Sequence, residues 1–577
     1  MFNRYYQEEL TYLKELGVEF SKAHPALAPM LIGPTADPDV ERLLEGVAFL
    51  TALLRQKLDD EYPELINELM QLIWPHYLRP IPSTTIVAFT PKPTLKLSQT
   101  LSAGIQIASI PVEGTSCLFR TSYGMEIHPL TLLEATFFQP PGRPPGIKLL
   151  LELDGLKLSD WQPRALRFFI SGDYPTASDL YLLLRQHLKQ IIFSPLEKGK
   201  PTSLSPDYLR PVGFSDQEVL LPYPSPSFPG YRILQEYFIS PEKFLFFDLT
   251  GWDQWQERGE GVRFEITFEL KDLPFPPPRI KKDHFTLFAT PAINLFPHEA
   301  DPIFLDHRKT HYLIRPSGSN AKHYQIYSVD EVKGFVQGTA KERQYVPFEL
   351  FNPDPQSNPS FHVSLRPSPI QAGYDVYLSV AYPPGSGPPV PETLSLRLTC
   401  TNGALPETLR VGDLSQPTSS SPEYAEFKNI TPFTMTHFPP LGTNLMWRLL
   451  SHLSLNYLSL AKAENLKALL GIYLFPETRD RTALLANPKR IGGIEKMEVK
   501  PSDRLVSGMM MRGQEIRLHL RQSQFASQGD MFLFGCILDH FLGGYASLNT
   551  YTQLIVQEVQ KGDLYQWPAR LGDRPLI

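Results

Sequence analysis

The chain has 577 residues, of which 42% are hydrophobic and 20% charged, a composition typical of a globular protein long enough to bury several cores. Its net charge of −6 offers no positive field for phosphates, so the sequence argues against a DNA- or RNA-binding protein. Proline accounts for 57 residues, about twice the share of roughly 5% in an average protein, which predicts many rigid turns and short strands.

Cysteine usage and apolar runs indicate the compartment. Cys117, Cys400 and Cys536 are odd in number, far apart and set among apolar residues, which favours buried thiols in a reducing compartment over a disulfide or zinc framework. The N-terminus is amphipathic and lacks the features of a signal peptide. The longest apolar run, 531–542, is too short to cross a bilayer. We therefore expect a cytoplasmic protein without direct membrane insertion.

Residues 1–24 are predicted to form an amphipathic helix. Its apolar face must be covered, because a lone helix is only marginally stable in water. The cover is either the following helices of the same chain or a bundle shared between subunits, and a helix face does not say which. The stripe consists of Phe2, Tyr6, Leu10, Leu13 and Phe20.

Residues 37–80 carry the clearest helical periodicity. Asp37 and Pro38 form a natural N-cap and first turn, and Pro63 is predicted to begin a second helix that ends near Trp74, before Pro75. The sequence therefore predicts a helical hairpin within 37–80. The apolar stripe of its first helix consists of Val40, Leu43, Leu44, Val47, Leu50, Leu54 and Leu58.

The rest of the chain alternates between strand-like and helical segments. Residues 83–290 contain strand patterns at 86–89, 101–110, 148–153 and 262–270 and a helical pattern at 176–193. Residues 291–435 show alternating strands at 361–366, 374–380 and 394–400, the spacing of a small β-sandwich. Residues 436–577 return to helix at 444–460, 464–475 and 531–542, with strands at 516–520 and 551–556.

These patterns predict an α+β multi-domain protein with four parts. They are an N-terminal helical region (1–82), a mixed α/β middle domain (83–290), a β-sandwich-like insertion that projects from the body (291–435) and a C-terminal α/β region (436–577).

One histidine-rich segment raises the question of a metal site. His307 and His311 are four residues apart, a spacing that suits a metal only in a helix, and carboxylates lie nearby from His298 onward. The flanking residues resemble strand, where positions four apart are separated by about 13 Å. A solvated polar loop is the better interpretation, and no nucleophile, phosphate-loop or zinc motif occurs elsewhere in the sequence. We therefore expect neither a cofactor nor an enzyme.

Interaction surfaces are the stronger expectation. Arg517 and Arg521 on one strand face, and Arg570 and Arg574 in the tail, are candidates to pair with acidic partners, although exposed ion pairs contribute only roughly 0–1 kcal/mol. Apolar helix faces are better anchors, because a fully buried Leu or Phe contributes roughly 1.5–3 kcal/mol. The candidates are the stripe of the first helix together with Val47, Leu50, Leu54 and Leu58.

The amino-acid sequences of several segments, spread along the whole chain, resemble one family. These segments are DPDVERLLEGVAFLTALLRQKLDDEYPEL (37–65), WPHYLRPIPS (74–83), INLF (293–296), YSVDEVKG (327–334), WRLLSHLSLNYLSL (447–460) and FLFGCILDHFLGGYASLNTY (532–551). They resemble the TssF family, also called ImpG or VasA, of the bacterial type VI secretion baseplate.

The resemblance implies a structural role and no active-site residues. It implies a wedge in which TssG and a second TssF copy join through a helical bundle, with TssK and TssE as further subunits. Six wedges would surround the VgrG spike hub and form the platform for the contractile sheath. Two alternatives stay open, a baseplate component of a related contractile injection machine and a metal-dependent or carbohydrate-active enzyme built on the β-domains.

Overall fold

The structure is a computed structural model that describes residues 2–25, 37–142, 144–223, 228–271, 273–318, 320–336, 342–348, 358–368, 373–383, 390–439, 462–474, 481–506, 509–546 and 550–572. It is a mixed α+β multi-domain fold, as predicted. The chain divides into two compact units. The first contains the N-terminal residues up to Leu78 together with Ser364–Asp375, and the second begins at Arg79.

The helices are α1 (Phe2–Ala23), α2 (Pro38–Ile73), α3 (Tyr174–Gln186), α4 (Pro229–Ile239), α5 (Ala463–Ile472), α6 (Arg481–Gly492) and α7 (Gln528–Gly543). The strands of the first half are β1 (Thr84–Pro91), β2 (Gln99–Leu101), β3 (Gln106–Val112), β4 (Thr115–Thr121), β5 (Met125–Ile127), β6 (Leu130–Phe138), β7 (Gly146–Leu153), β8 (Leu166–Ile170), β9 (Leu188–Pro195), β10 (Thr202–Leu204), β11 (Leu209–Val212), β12 (Phe246–Leu249), β13 (Arg263–Leu270), β14 (Phe285–Leu287) and β15 (Ala289–Ile293). Those of the second half are β16 (Phe296–Glu299), β17 (Ile303–Leu305), β18 (Tyr312–Leu313), β19 (Gln325–Val336), β20 (Glu342–Pro347), β21 (Ser360–Pro367), β22 (Tyr374–Ala381), β23 (Glu392–Thr401), β24 (Ala425–Asn429), β25 (Ile494–Val506), β26 (Met509–Leu520), β27 (Thr550–Glu558), β28 (Leu564–Gln566) and β29 (Arg570–Leu571).

The first unit is built on α1 and the 36-residue helix α2. The Asp37 carboxylate accepts a hydrogen bond from the Asp39 amide at 3.0 Å, and the Trp74 amide closes the last turn on the Met70 carbonyl. Both predicted ends are confirmed. The predicted break was wrong, because α2 continues through Pro63. A proline inside a helix removes one hydrogen bond and favours a kink, but it does not have to end the helix.

The second unit begins with a five-stranded sheet in the order β24-β1-β15-β4-β3. Strand β1 pairs antiparallel with β15 and with β24, at Thr84 with Ile293 and at Phe89 with Phe427. One sheet therefore joins strands from both sides of residue 290. The four-part division of the chain remains a prediction.

A second five-stranded sheet has the order β10-β9-β13-β7-β6. Alternate residues of β13 are buried, as its sequence predicts. The predicted helix at 176–193 was partly wrong, since α3 ends at Gln186 and β9 begins at Leu188. Ile191 and Ile192 favour a strand, and Ile191 pairs with Phe268 of β13, so sheet pairing overrides the helical pattern.

The β-rich region forms an eight-stranded sheet with the main order β16-β23-β19-β20-β21-β22-β18, and β17 pairs with β23 beside β16. The three strands predicted from alternation are present as β21, β22 and β23. Its two ends approach each other, because the Asp301 amide donates to the Arg315 carbonyl and the Ser317 amide to the Glu299 carbonyl. Strand β23 contributes Leu394, Leu396 and Leu398 to the buried face of the sheet.

The C-terminal region packs a sheet in the order β25-β26-β27-β28 around α7. Helix α7 is buried at every position except His540, which confirms the expectation for a helix that is apolar nearly all round. The predicted helix at 464–475 and strand at 551–556 correspond to α5 and β27. Helix α6 and strand β25 were not predicted. The predicted helix at 444–460 lies outside the described residues.

All three cysteines are free and buried. Burial raises the pKa of Cys117 to about 11 and those of Cys400 and Cys536 to about 12, so the thiols stay protonated. Among the described residues, no helix combines the length and apolarity that crossing a membrane requires.

Candidate interaction surface

Helices α1 and α2 pack antiparallel in the first unit, and we call this pair the hairpin, since 38–73 forms one helix and not the hairpin predicted within 37–80. Lys14 forms an ion pair with Glu41 at 3.2 Å, and Arg55 reaches back to Glu9 at 2.7 Å. In the first half of α2 the completely buried side chains are small, Ala48 and Ala52, and near its end Met70 is also completely buried. Small side chains let neighbouring backbones approach closely, but they bury little apolar area.

Several large apolar side chains of α2 point toward solvent. Their exposed fractions are 69% for Leu43, 45% for Val47, 62% for Leu50 and 63% for Leu54. The steps of four, three and four residues place them on one stripe with the spacing of a coiled-coil seam, and we call this stripe the outer seam. Leu58 continues the spacing, but its side chain is not among those described. Scattered exposed leucines are ordinary, whereas a continuous apolar stripe is typical of an interaction site.

Helix α1 also exposes apolar side chains, of which only Phe20 belongs to the predicted stripe. Tyr12 is 58% exposed, Leu16 41% and Phe20 47%, and these residues recur every four positions. Of the predicted stripe, Tyr6, Leu10 and Leu13 are half-buried, Phe20 is exposed and the side chain of Phe2 is not described. The hairpin therefore carries exposed apolar surface on both helices.

The predicted basic strand face is a mixed-charge surface. Arg517 pairs with Glu515 at 3.2 Å, and Arg521 pairs with Glu495 on the neighbouring strand. Opposite Arg517 across the ladder stands Glu498. Carboxylates on the same sheet thus neutralise much of the positive charge, and the assignment of these arginines to a partner interface remains a prediction.

The first part of the tail is fastened to its own subunit. The Arg570 guanidinium donates to the Asp539 carboxylate and contacts His540 Nε2 at 2.7 Å. Burial raises the pKa of Asp539 to about 6 although Arg570 opposes that shift. Burial, with the charges of Arg570 and Arg185, holds the pKa of His540 well below its ordinary value. Arg574 lies outside the described residues.

The histidine-rich segment binds backbone carbonyls. His298 donates through Nε2 to the Ser317 carbonyl at 2.8 Å, and His307 does so to the Val390 carbonyl at 3.2 Å. Nowhere in the described ranges do three His, Cys, Asp or Glu side chains come together as a possible metal site. These contacts fix the path of the loop that leaves β17.

A cleft of about 400 Å³ lies between α6 and the residues that lead into α7. Its lining includes Arg490 and Asp530, which form a buried ion pair at 3.0 Å. Asp530 also accepts from the hydroxyls of Tyr174 at 2.8 Å and Tyr237 at 3.2 Å. These ionisable groups satisfy one another, which is the arrangement of a structural clamp. Sequence reasoning missed this clamp, because its four members lie on four separate helices, α3, α4, α6 and α7.

Comparisons with known proteins agree with the resemblance seen in the sequence. The family model of TssF of the type VI secretion system matches residues 1–574. A curated relative, the type VI secretion system component TssF1 of Pseudomonas aeruginosa, is 29% identical, covering 99% of this chain and 98% of the relative.

Two solved structures are also similar. One chain of a structure described as the TssK-TssF-TssG baseplate subcomplex of the type VI secretion system has a TM-score of 0.78 at 29% identity, covering 92% of this chain and 98% of that chain. A chain of the baseplate complex from the type VI secretion system has a TM-score of 0.59 at 24% identity over both full lengths, and it supports the fold alone.

Proposed function

This chain belongs to the TssF family of the type VI secretion system, and from that premise we propose that it is a structural subunit of a baseplate wedge. In this proposal it assembles with a TssG chain, with TssK and with a second copy of itself. The similar solved chain from a TssK-TssF-TssG subcomplex supports TssG and TssK as partners.

The observation that carries the proposal is the outer seam of α2. Four large apolar side chains stand on one stripe and are 45–69% exposed, while the buried residues beside this stripe, Ala48 and Ala52, are small. Water contact with such a stripe is unfavourable by roughly 25 cal/mol for each Å² of apolar surface, so a helix with matching apolar positions gains stability by covering it. The spacing of the seam suits side-by-side packing of helices.

We propose that helices of TssG and of the second copy cover the outer seam in a shared bundle. Charged residues that flank the hairpin, such as Lys14 and Glu41, already pair within the chain and are suited to the rim of such a bundle. Apolar burial then supplies the affinity, because exposed ion pairs contribute only roughly 0–1 kcal/mol.

The role proposed for the chain is to hold geometry. The buried pair of Arg490 and Asp530 and the backbone contacts of His298 and His307 support structural functions for these groups. In the same proposal, the wedge also contains TssE, surrounds the VgrG hub and forms the platform for sheath assembly in the cytoplasm.

Co-expression tests this proposal. The chain is produced with and without a TssG chain from the same system, and the mass of each purified product is measured by native mass spectrometry. We expect a stable complex that contains TssG and more than one copy of this chain. If the two chains purify separately and each remains monomeric, the proposed role in a wedge is refuted.

A further inference from the structure

Two exposed phenylalanines lie on either side of β23 in the β-rich sheet. Phe304 of β17 and Phe335 of β19 both stand opposite Thr393 of the strand between them. Side chains at paired positions of a sheet share one face, so the three form a single row. Phe304 is 53% exposed and Phe335 45%, and Thr393 is exposed between them. We call this feature the aromatic slot.

The width of the slot suits one additional ring. Neighbouring strands lie about 4.8 Å apart, so the backbones that carry the two phenylalanines are separated by about 9.6 Å across Thr393. A flat group midway between them would lie about 4.8 Å from each ring, within the 4.5–7 Å of favourable ring contacts. The floor is formed by the small residues Thr393 and Ser395, which leave this space open.

The charges around the slot compensate one another. Lys333 bridges Glu342 at 3.1 Å and Glu331 at 3.2 Å, and Arg397 pairs with Glu331 at 2.8 Å. Two cations and two carboxylates thus leave no net charge beside the phenylalanines. An uncharged occupant is complementary to this surface, whereas a strongly acidic or basic segment would gain little from it.

We propose that the aromatic slot binds a proline ring of an extended, uncharged, proline-rich segment of another protein. A polyproline helix loses little conformational entropy on binding and is bound by aromatic-lined grooves in other domains. Its ring fits between Phe304 and Phe335, and its backbone lies along the exposed face of the sheet. This site is separate from the outer seam and does not depend on the bundle.

Fluorescence polarisation with full-length protein tests the proposal. The probe is fluorescein-labelled decaproline, and the reference is a fluorescein-labelled Gly-Ser decapeptide. We expect decaproline to bind and the Gly-Ser peptide not to bind. Substitutions F304A and F335A should each weaken decaproline binding at least about tenfold, as expected for a central aromatic contact. The matched control is F348A, because Phe348 is also about half exposed, at 48%, and does not line the slot.

The substitution T393K provides a second variant that fills the slot and leaves both rings in place. It should abolish decaproline binding, and its melting temperature should equal that of the wild type because Thr393 is exposed. The proposal is overturned if decaproline does not bind at about 1 mM. It is also overturned if F304A and F348A have equal affinities. Analytical ultracentrifugation provides a third test, since loss of self-association in F304A would make a second copy of the chain the occupant.

Discussion

The double substitution L50A/L54A measures what the outer seam contributes to binding. Leu50 is 62% exposed and Leu54 63%, so these fractions of each side chain remain for a partner to bury. Full burial of a leucine contributes roughly 1.5–3 kcal/mol, and the exposed fraction therefore corresponds to about 1–2 kcal/mol per residue. We expect the pair to lose about 2–4 kcal/mol of binding free energy, or roughly 30- to 1,000-fold in Kd.

The assay is isothermal titration of this chain with its TssG partner, alongside denaturant unfolding of the chain alone. The free energy of unfolding should change by less than about 0.5 kcal/mol, because both leucines face solvent and alanine is a good helix former. The control is L97A/L485A, since Leu97 and Leu485 are 66% and 65% exposed and lie outside the hairpin. It should bind TssG like the wild type.

A second, harsher pair distinguishes the interface from a general effect of apolar area. The substitution L50D/L54D places charges in the seam and should abolish co-purification with TssG while the chain stays folded. If L50A/L54A binds TssG as tightly as L97A/L485A, or if L50D/L54D still assembles fully, the reasoning from exposure to interface is refuted.

Three further predictions concern the stability of the second unit. Either R490M or D530N should destabilise the fold by about 3–5 kcal/mol in denaturant unfolding, because each leaves a buried group without its partner, and wild-type stability in either variant would contradict the clamp. The substitution G529A should destabilise the protein, since its added Cβ would lie 2.1 Å from the Ser178 backbone. The substitution G471A places a Cβ with no atom within 4 Å and should stabilise α5 by up to about 1 kcal/mol. If G471A were less stable than G529A, this description of the packing would be wrong. Burial raises the pKa of Asp539 from its ordinary value of 3.8 to about 6, so the native state binds this proton more tightly and wild-type stability should fall as pH rises from about 4 to 6. Asp539 accounts for about 3 kcal/mol of that loss, and D539N should remove this contribution. If D539N and the wild type had the same dependence of unfolding free energy on pH, the raised pKa of Asp539 would be contradicted.

Local sequence was sufficient where a segment's own chemistry decides its structure. The N-cap at Asp37, the helix end at Trp74 and the alternation of β13 depend on hydrogen bonds and periodicities within a few residues. Burial of helix α7 was predictable because its own apolar residues occupy nearly all of its faces. The family resemblance likewise lies in the order of residues along the chain.

Tertiary structure decided which of the competing local patterns prevailed. Residues 188–195 pair with β13 as a strand, although the apolar pattern of 176–193 predicts that the helix continues through them. Pairing in the sheet satisfies their backbone groups. Arg570 carries the same charge as any surface arginine, and only the fold places it against Asp539.

The apolar pattern of α2 fits a helix buried against its own chain and a helix that awaits a partner equally well. Periodicity records which residues share a face, whereas exposure depends on what distant segments bring to that face. Only the structure shows that Ala48 and Ala52 are buried while the larger side chains of the outer seam are exposed. The same holds for Phe304 and Phe335, which are 31 residues apart in sequence and become neighbours because β23 lies between their strands.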